Sequence, residues 1–246
     1  MFAEAAVKLS QKLIKGYAPK AGAHWAAKAW DRSKYDRAPR VGPDLKAKKE
    51  RVADLIEAHG QGADRLIEFA CGTGAHTENA VKRSDAKEIL VVDISADALE
   101  IVKQKITDPR LQTKHGDFWT ELGIGTADVV MCINAIHHMG DVRQVITRLT
   151  DYVNPGGVLI GTILTNDNFH EFQRDSHGTV KHAFRSANFL VNAIAMRLTG
   201  GRIRTHAYRS QLLYETQFEN ILRELAPGRI LHLSSTRYIS VFAIRC

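Results

Sequence analysis

From Arg65 onward, short apolar runs alternate with amphipathic stretches: 65–70 (RLIEFA), 88–92 (EILVV), 111–115 (LQTKH), 127–133 (ADVVMCI) and 157–164 (GVLIGTIL). Runs this short, separated by segments of helical period, predict a parallel sheet with helices on both faces. After Thr165 the alternation stops. Residues 166–210 are polar and rich in His and Arg around one amphipathic stretch, 187–199 (ANFLVNAIAMRLT), which predicts a lid inserted after the fifth strand. A helix over 214–225 and two strands near 229–234 and 237–244 then complete the sheet.

Ahead of the first run, Phe2, Ala6, Leu9, Leu13 and Ile14 recur at helical spacing with lysines between them. This predicts a basic amphipathic helix that caps the core or a substrate cleft, with peripheral contact to an anionic membrane as the alternative. A loop holding Trp25, Trp30 and Tyr35, candidates for an acceptor pocket, leads past Pro39 and Pro43 into a helix ending near residue 59. The expected organisation is an N-terminal helical cap, 1–44, followed by one α/β domain, 45–246, that carries the lid. A chain of 246 residues is long enough for one such domain with a full core.

Charge and cysteine usage narrow the function classes. Lys and Arg number 34 against 27 Asp and Glu, a net charge of +7, which favours an anionic partner. No run approaches the roughly 18 apolar residues of a membrane span, and residues 1–17 lack the apolar core of a secretory signal. A soluble, cytoplasmic protein is expected. Cys71, Cys132 and Cys246 form no CxxC pair, so neither a disulfide framework nor a zinc site is indicated.

The chemistry concentrates where strands end. Residues 66–74 (LIEFACGTG) read as a buried strand running into a glycine turn and then a helix beginning near Ala75. Gly72 and Gly74 let backbone amides approach a ligand closely, and the helix N-terminus favours negative charge. The third glycine of the dinucleotide pattern is missing, since position 77 is Thr, which weakens a nicotinamide or flavin reading. Asp93 ends the second strand 19 residues after Gly74, where a carboxylate can accept both hydrogen bonds from a ribose diol. Ser95 is available to cap the next helix in its place. Gly116, Asp117 and Phe118 follow the third strand and would bring a carboxylate to an adenine amino group and a ring to its face.

Taken together, Glu68 on the first strand, Cys-Gly-Thr-Gly at 71–74, Asp93, Gly-Asp-Phe at 116–118, Asn134 and Asn-Pro-Gly-Gly at 154–157 resemble the class I, Rossmann-like S-adenosylmethionine-dependent methyltransferases. The resemblance covers roughly residues 45–165 and the C-terminal helix and strands. It implies a three-layer αβα fold with a seven-stranded sheet, order 3-2-1-4-5-7-6 and strand 7 antiparallel. S-adenosylmethionine, leaving as S-adenosylhomocysteine, would bind over the carboxyl ends of strands one to four. By that resemblance Glu68 and the loop Ala70, Cys71, Gly72 and Gly74 face the methionyl end, Asp93 the ribose, and Asp117 with Phe118 the adenine, with Ile94 and Asn134 as further cofactor-binding residues. Ala70 stands where many members have glycine.

His137 and His138 follow Asn134 and resemble the His-His pair of the natural-product sugar O-methyltransferases; similar loops occur in quinone methyltransferases. Histidine has the unperturbed pKa to remove a hydroxyl proton near neutrality. Asp167, just after strand five, is a candidate to orient such a histidine or bind a substrate hydroxyl. His170, Glu171, Asp175, His177 and His182 lack a compact ligand spacing, so no tightly bound metal is expected. Asn134-Ala-Ile-His is not the Asn/Asp-Pro-Pro-aromatic loop of exocyclic adenine methylation, and Cys132 lacks the adjacent proline of cytosine C5 enzymes. No nucleic acid partner is expected. The reading is O-methylation of a small molecule such as a sugar, glycoside, phenol or quinone precursor, the acceptor being anionic or lipid-like if Arg185, Arg197, Arg202, Arg204 and Arg209 recognise it. N- or C-methylation, then RNA methylation, then cofactor binding without turnover are the alternatives.

Overall fold

The computed structural model describes residues 2–15, 43–120, 122–167, 169–200, 213–236 and 239–246. The aromatic loop with Trp25, Trp30 and Tyr35, and the basic positions Arg202, Arg204 and Arg209, lie outside the described residues.

In chain order, α1 (Phe2–Ile14) and α2 (Pro43–Gly60) precede β1 (Arg65–Phe69), α3 (Thr77–Arg83), β2 (Glu88–Asp93), α4 (Ala96–Lys105), β3 (Leu111–His115) and β4 (Ala127–Cys132). A short 3-10 turn (Ile136–His138), α5 (Val142–Thr150) and β5 (Val153–Leu164) follow. The chain then forms α6 (Phe169–His177), α7 (Thr179–Thr199), α8 (Glu215–Leu225), β6 (Ile230–Thr236) and β7 (Ile239–Arg245). The strands make one sheet in the order β3-β2-β1-β4-β5-β7-β6. The first five pair in parallel, and β7 runs antiparallel to both β5 and β6. This is the sheet expected from the sequence.

Central strands are apolar at nearly every position because both sheet faces are covered. Neighbouring residues divide between them. Ile67, Leu90, Val130 and Leu159 pack with α5 and α8 on one face, while Leu66, Ile89, Val129 and Ile160 pack with α2, α3 and α4 on the other. The edge strand β3 is mostly polar and exposed, as an unpaired edge favours. In β5, Gly161 sits where the Phe242 ring from β7 and Ile136 close in, with a Cβ there falling 2.4 Å from the ring.

Two boundaries differ from the sequence pattern. β5 starts at Val153 rather than 157, so Asn-Pro-Gly-Gly lies inside the strand, with an irregular register against β4 between Ala127 and Val129. Pro155 has no N–H for the ladder, which makes that stretch read as a turn. The segment after Thr165 is also more ordered than its polarity predicts. Residues 169–199 form two consecutive helices, and α1 lies along α7, with Val7 against Phe189 and Ile14 against Ala193 and Met196. Leu164, at the end of β5, packs against Val7 and Phe189. The N-terminal helix is thereby joined to the inserted segment.

Candidate cofactor and acceptor site

A cavity of about 540 Å³ opens at the carboxyl ends of β1, β2, β3 and β4. Parallel strands that all point their carboxyl ends one way leave loops there, and α/β sheets bind ligands in that crevice.

The loop after β1 builds the first wall. Ala70 at φ 53°, Gly72 at φ 55° and Gly74 at φ 82° take the left-handed conformation. For the two glycines this has no steric cost, whereas Ala70 carries a strained turn. Gly74 N–H donates to Cys71 O (3.1 Å), closing the turn, and the loop feeds α3. Cys71 is buried and its thiol is pushed well up by burial, with the nearby Glu68 and Asp93 carboxylates adding to the shift. That environment disfavours a thiolate.

Two carboxylates anchor the loop from below. Glu68 is 2% exposed, and its Oε2 accepts from the Thr77 hydroxyl (2.6 Å). Burial pushes its carboxyl up to about 8; the Thr77 hydrogen bond opposes this, and the neighbouring Asp93 charge reinforces it. Asp93 Oδ2 accepts from Gly72 N–H and Oδ1 from Ser95 N–H, both at 2.8 Å. Burial raises its pKa as well, countered by these amides and that of Ile94. Ser95 caps α4, its Oγ accepting from Ala98 N–H (3.3 Å), so Asp93 is not that helix's cap. Three backbone amides, of Gly72, Ile94 and Ser95, hold the Asp93 carboxylate, and two oxygens with about four lone-pair sites leave it capacity for a further donor such as a ribose hydroxyl.

Gly116, Asp117 and Phe118 form the far wall. Asp117 Oδ1 accepts from Trp119 N–H (3.0 Å), while its buried Oδ2 has no partner. A buried acceptor without a donor is costly unless a ligand supplies one. Phe118 lines the cavity but is largely taken into the core, edge-on to Phe69 with ring centroids 5.3 Å apart and under the Arg148 guanidinium. Trp119, which the sequence pattern did not single out, also lines the cavity and donates from Nε1 to Met139 O (2.8 Å). Its position directly after Gly-Asp-Phe was the available signal.

The loop after β4 closes the remaining side. Asn134 sits at φ 60°; its N–H donates to Thr162 Oγ1 (2.8 Å), and its Oδ1 accepts from Lys48 Nζ (3.0 Å). Lys48 on α2 is buried, which lowers its ammonium to about 8 with help from Lys49. Nothing in the sequence links Lys48 to Asn134, 86 positions away. His76, on the cavity wall, is pushed down to about 3 by burial and the charges of Lys48 and Lys49, so it is neutral, and its Nδ1 has no partner.

His137 and His138 both line the cavity, ring centroids 4.3 Å apart. His137 is fully buried and its Nδ1 accepts from Leu164 N–H (3.3 Å), while His138 is half-buried. Asp167 is placed elsewhere. It is not on the cavity wall, and its Oδ2 accepts from Glu215 N–H (2.7 Å) at the start of α8, where the first turn has unpaired amides. Replacing Asp167 by Ala is expected to lower stability by about 1 kcal/mol, the usual cost of a lost helix cap, with kinetic constants unchanged. Urea unfolding beside steady-state rates checks this. In the inserted segment, His170 Nδ1 and His182 Nε2 lie 3.0 Å apart and pair with each other.

Ala70, Cys71, Gly72, Asp93, Ile94, Asp117, Phe118 and Asn134 thus converge on one cavity with Glu68. Gly74 stands behind the loop, where a Cβ would press on Val102 of α4 and on Ile106 just past that helix.

Residues 67–159 match the family described as methyltransferase domain. Among curated relatives, the chain is 26% identical over 129 residues to a malonyl-[acyl-carrier protein] O-methyltransferase from Priestia megaterium, covering 52% of this chain and 45% of that one. It is also 26% identical over 123 residues to a dTDP-3-amino-3,4,6-trideoxy-alpha-D-glucopyranose N,N-dimethyltransferase from Streptomyces venezuelae, covering 48% and 50%. The chain spans about half the length of the curated relatives it matches. Among solved structures it is similar to the N-methyltransferase NodS from Bradyrhizobium japonicum WM9 in complex with S-adenosyl-L-homocysteine, at TM-score 0.58 and 13% identity over 89% of this chain and 97% of that one. The chain has the Rossmann-like fold of the class I methyltransferases, and its residues 67–159 carry the methyltransferase-domain sequence pattern.

Proposed function

We propose that this chain binds S-adenosylmethionine and transfers its methyl group to a small-molecule acceptor, with a hydroxyl oxygen as the preferred nucleophile and His138 as the base. The observation that carries the cofactor assignment is the row of carboxylates along one 540 Å³ cavity, buried Glu68 and Asp93 and then Asp117 with its buried, unpartnered Oδ2. Glu68 would face the cationic methionyl end, Asp93 would accept from the ribose hydroxyls, and Asp117 Oδ2 would accept from the adenine amino group. The cofactor supplies a sulfonium-bound methyl group for in-line displacement. Around it, the chain's residues hold the adenosyl moiety by hydrogen bonds, keep a largely apolar wall between it and water, and place His138 to take the acceptor's proton. The similarity to an O-methyltransferase and to an N,N-dimethyltransferase leaves nitrogen as the second reading, for which a neutral amine needs no prior deprotonation.

Calorimetric titration with S-adenosylmethionine, S-adenosylhomocysteine and NAD tests the cofactor assignment. Binding of the two sulfur ligands alone is the expected result, and binding of NAD alone would overturn it. Asp93→Ala is expected to weaken S-adenosylhomocysteine binding by roughly 2 kcal/mol from lost charge-assisted hydrogen bonds. It should also lower the melting temperature, because Gly72 N–H and Ser95 N–H lose their acceptor. Unchanged affinity with a lowered melting temperature would reduce Asp93 to a loop anchor.

A further inference from the structure

α7 has two apolar faces. One, formed by Phe189, Ala193 and Met196, packs inward. The other runs along the opposite side at 180, 184, 191, 194 and 198, a recurrence of three, four or seven residues that keeps one face of a helix. These are Val180, Phe184, Val191, Ile194 and Leu198; Phe184 is 71% and Leu198 81% exposed. Scattered exposed hydrophobics are ordinary, whereas a continuous stripe of large side chains along one helix marks a contact surface. Phe2 and Leu9 of the neighbouring α1 are exposed as well.

The charges identify the partner. From Thr179 to Leu212 the sequence contains Lys181, Arg185, Arg197, Arg202, Arg204 and Arg209 and neither Asp nor Glu. Lys181 and Arg185 flank the stripe on one side; Arg197 lies on the other and also donates to the Leu13 and Lys15 carbonyls at the end of α1, which carries exposed Lys8 and Lys12, with Lys15 just past it, against one exposed acid, Glu4. A long helix face with bulky apolar residues at its centre, basic flanks and no acidic residue within the helix itself matches an interfacial helix on anionic lipid. No helix among the described residues is long and apolar enough to cross a membrane. We infer that the outer face of α7, aided by α1, docks this chain on an anionic bilayer surface. The inner side of the same helix pair packs on Leu164, a residue of the cavity wall. Docking would therefore hold the cavity close to the lipid surface.

The test is co-sedimentation of the full chain with vesicles of phosphatidylcholine plus phosphatidylglycerol, against phosphatidylcholine alone, and it needs neither cofactor nor turnover. Binding to the mixed vesicles is expected, weakening as salt is raised, and falling at least tenfold in the double variant Phe184→Ser and Leu198→Ser. Lys181→Ala with Arg185→Ala should remove the preference for anionic lipid. Circular dichroism melts and S-adenosylhomocysteine titration check that the serine variant remains folded. Equal partition to both vesicle types, or binding unaffected by the serine substitutions, would overturn the inference. So would a concentration-dependent dimer in light scattering that the serine substitutions abolish, since the face would then belong to a second copy.

Discussion

Replacing His138 by Ala is expected to slow methyl transfer to a hydroxyl by roughly 10²- to 10⁴-fold, the range contributed by a positioned general base, while leaving S-adenosylhomocysteine affinity unchanged. The two histidines on the cavity wall are not equivalent. His137 Nδ1 accepts the Leu164 amide, so in the neutral ring its proton resides on Nε2 and neither nitrogen offers a lone pair to an acceptor hydroxyl. His138 lines the same wall and is only half-buried, and a base needs such partial exposure to pass the proton on. His137→Ala should act mainly on stability, because it empties a fully buried site and leaves the Leu164 amide without its acceptor. The measurement is kcat and KM across pH for both variants with a hydroxylated acceptor. Full activity of His138→Ala over the whole range would sink the base assignment and favour an acceptor nitrogen that needs no deprotonation.

Cofactor affinity is expected to climb by up to tenfold per pH unit below about 8 and then level off, and Glu68→Gln should flatten that dependence. Burial holds the Glu68 carboxyl up to about 8, so the empty site is mostly neutral there at pH 7. A cationic methionyl end favours the ionised form, and binding must therefore expel a proton wherever Glu68 was protonated. Above about 8 the carboxylate is already formed and no further gain follows. At pH 8.5 Glu68→Gln should weaken binding by roughly 1.5–3 kcal/mol, the worth of a hydrogen bond to a charged group.

The same residue affects the unliganded fold in the opposite sense. A carboxyl whose folded pKa is raised favours the fold most when protonated, and that contribution disappears as pH rises from the unfolded value through about 8. Glu68→Gln should consequently be more stable than the parent at pH 9 while binding more weakly. Calorimetry in buffers of different ionisation enthalpy measures the released proton, and thermal melts at pH 6 and 9 measure the stability arm. A pH-independent affinity in the parent would place the cationic end of the ligand away from Glu68.

Much of this was available from local sequence. That a parallel sheet forms rests on short apolar runs alternating with helical stretches, which is a one-dimensional signal, and the glycine turn after β1 is a short-range one; the strand order came from the family resemblance, and the polar edge strand β3 carries little apolar signal of its own. Asp93 and Asp117 were legible because each ends or follows a strand whose carboxyl end must face the same crevice. Asp167 was not: after β5 the same argument pointed it toward the cavity, yet an amide of α8, 48 residues later, takes its carboxylate. Lys48 and Thr162 converge on Asn134 from α2 and β5, and Lys48 lies 86 positions from it. Contacts of that range are set by packing and leave no pattern along the chain.

The sequence by itself determined that strands and helices alternate into a parallel sheet, and marked the loop that approaches the ligand and the carboxylates that line the crevice, because period and strand ends are local properties; the order of the strands came through the family resemblance. Only the tertiary structure decided that Phe118 is shared with the core, that Trp119 joins the wall, that His137 has one nitrogen committed to Leu164, and that α7 keeps a second apolar face exposed. Each of these depends on which distant side chain fills a volume or offers a hydrogen bond, and that is fixed only when the helices close on the sheet.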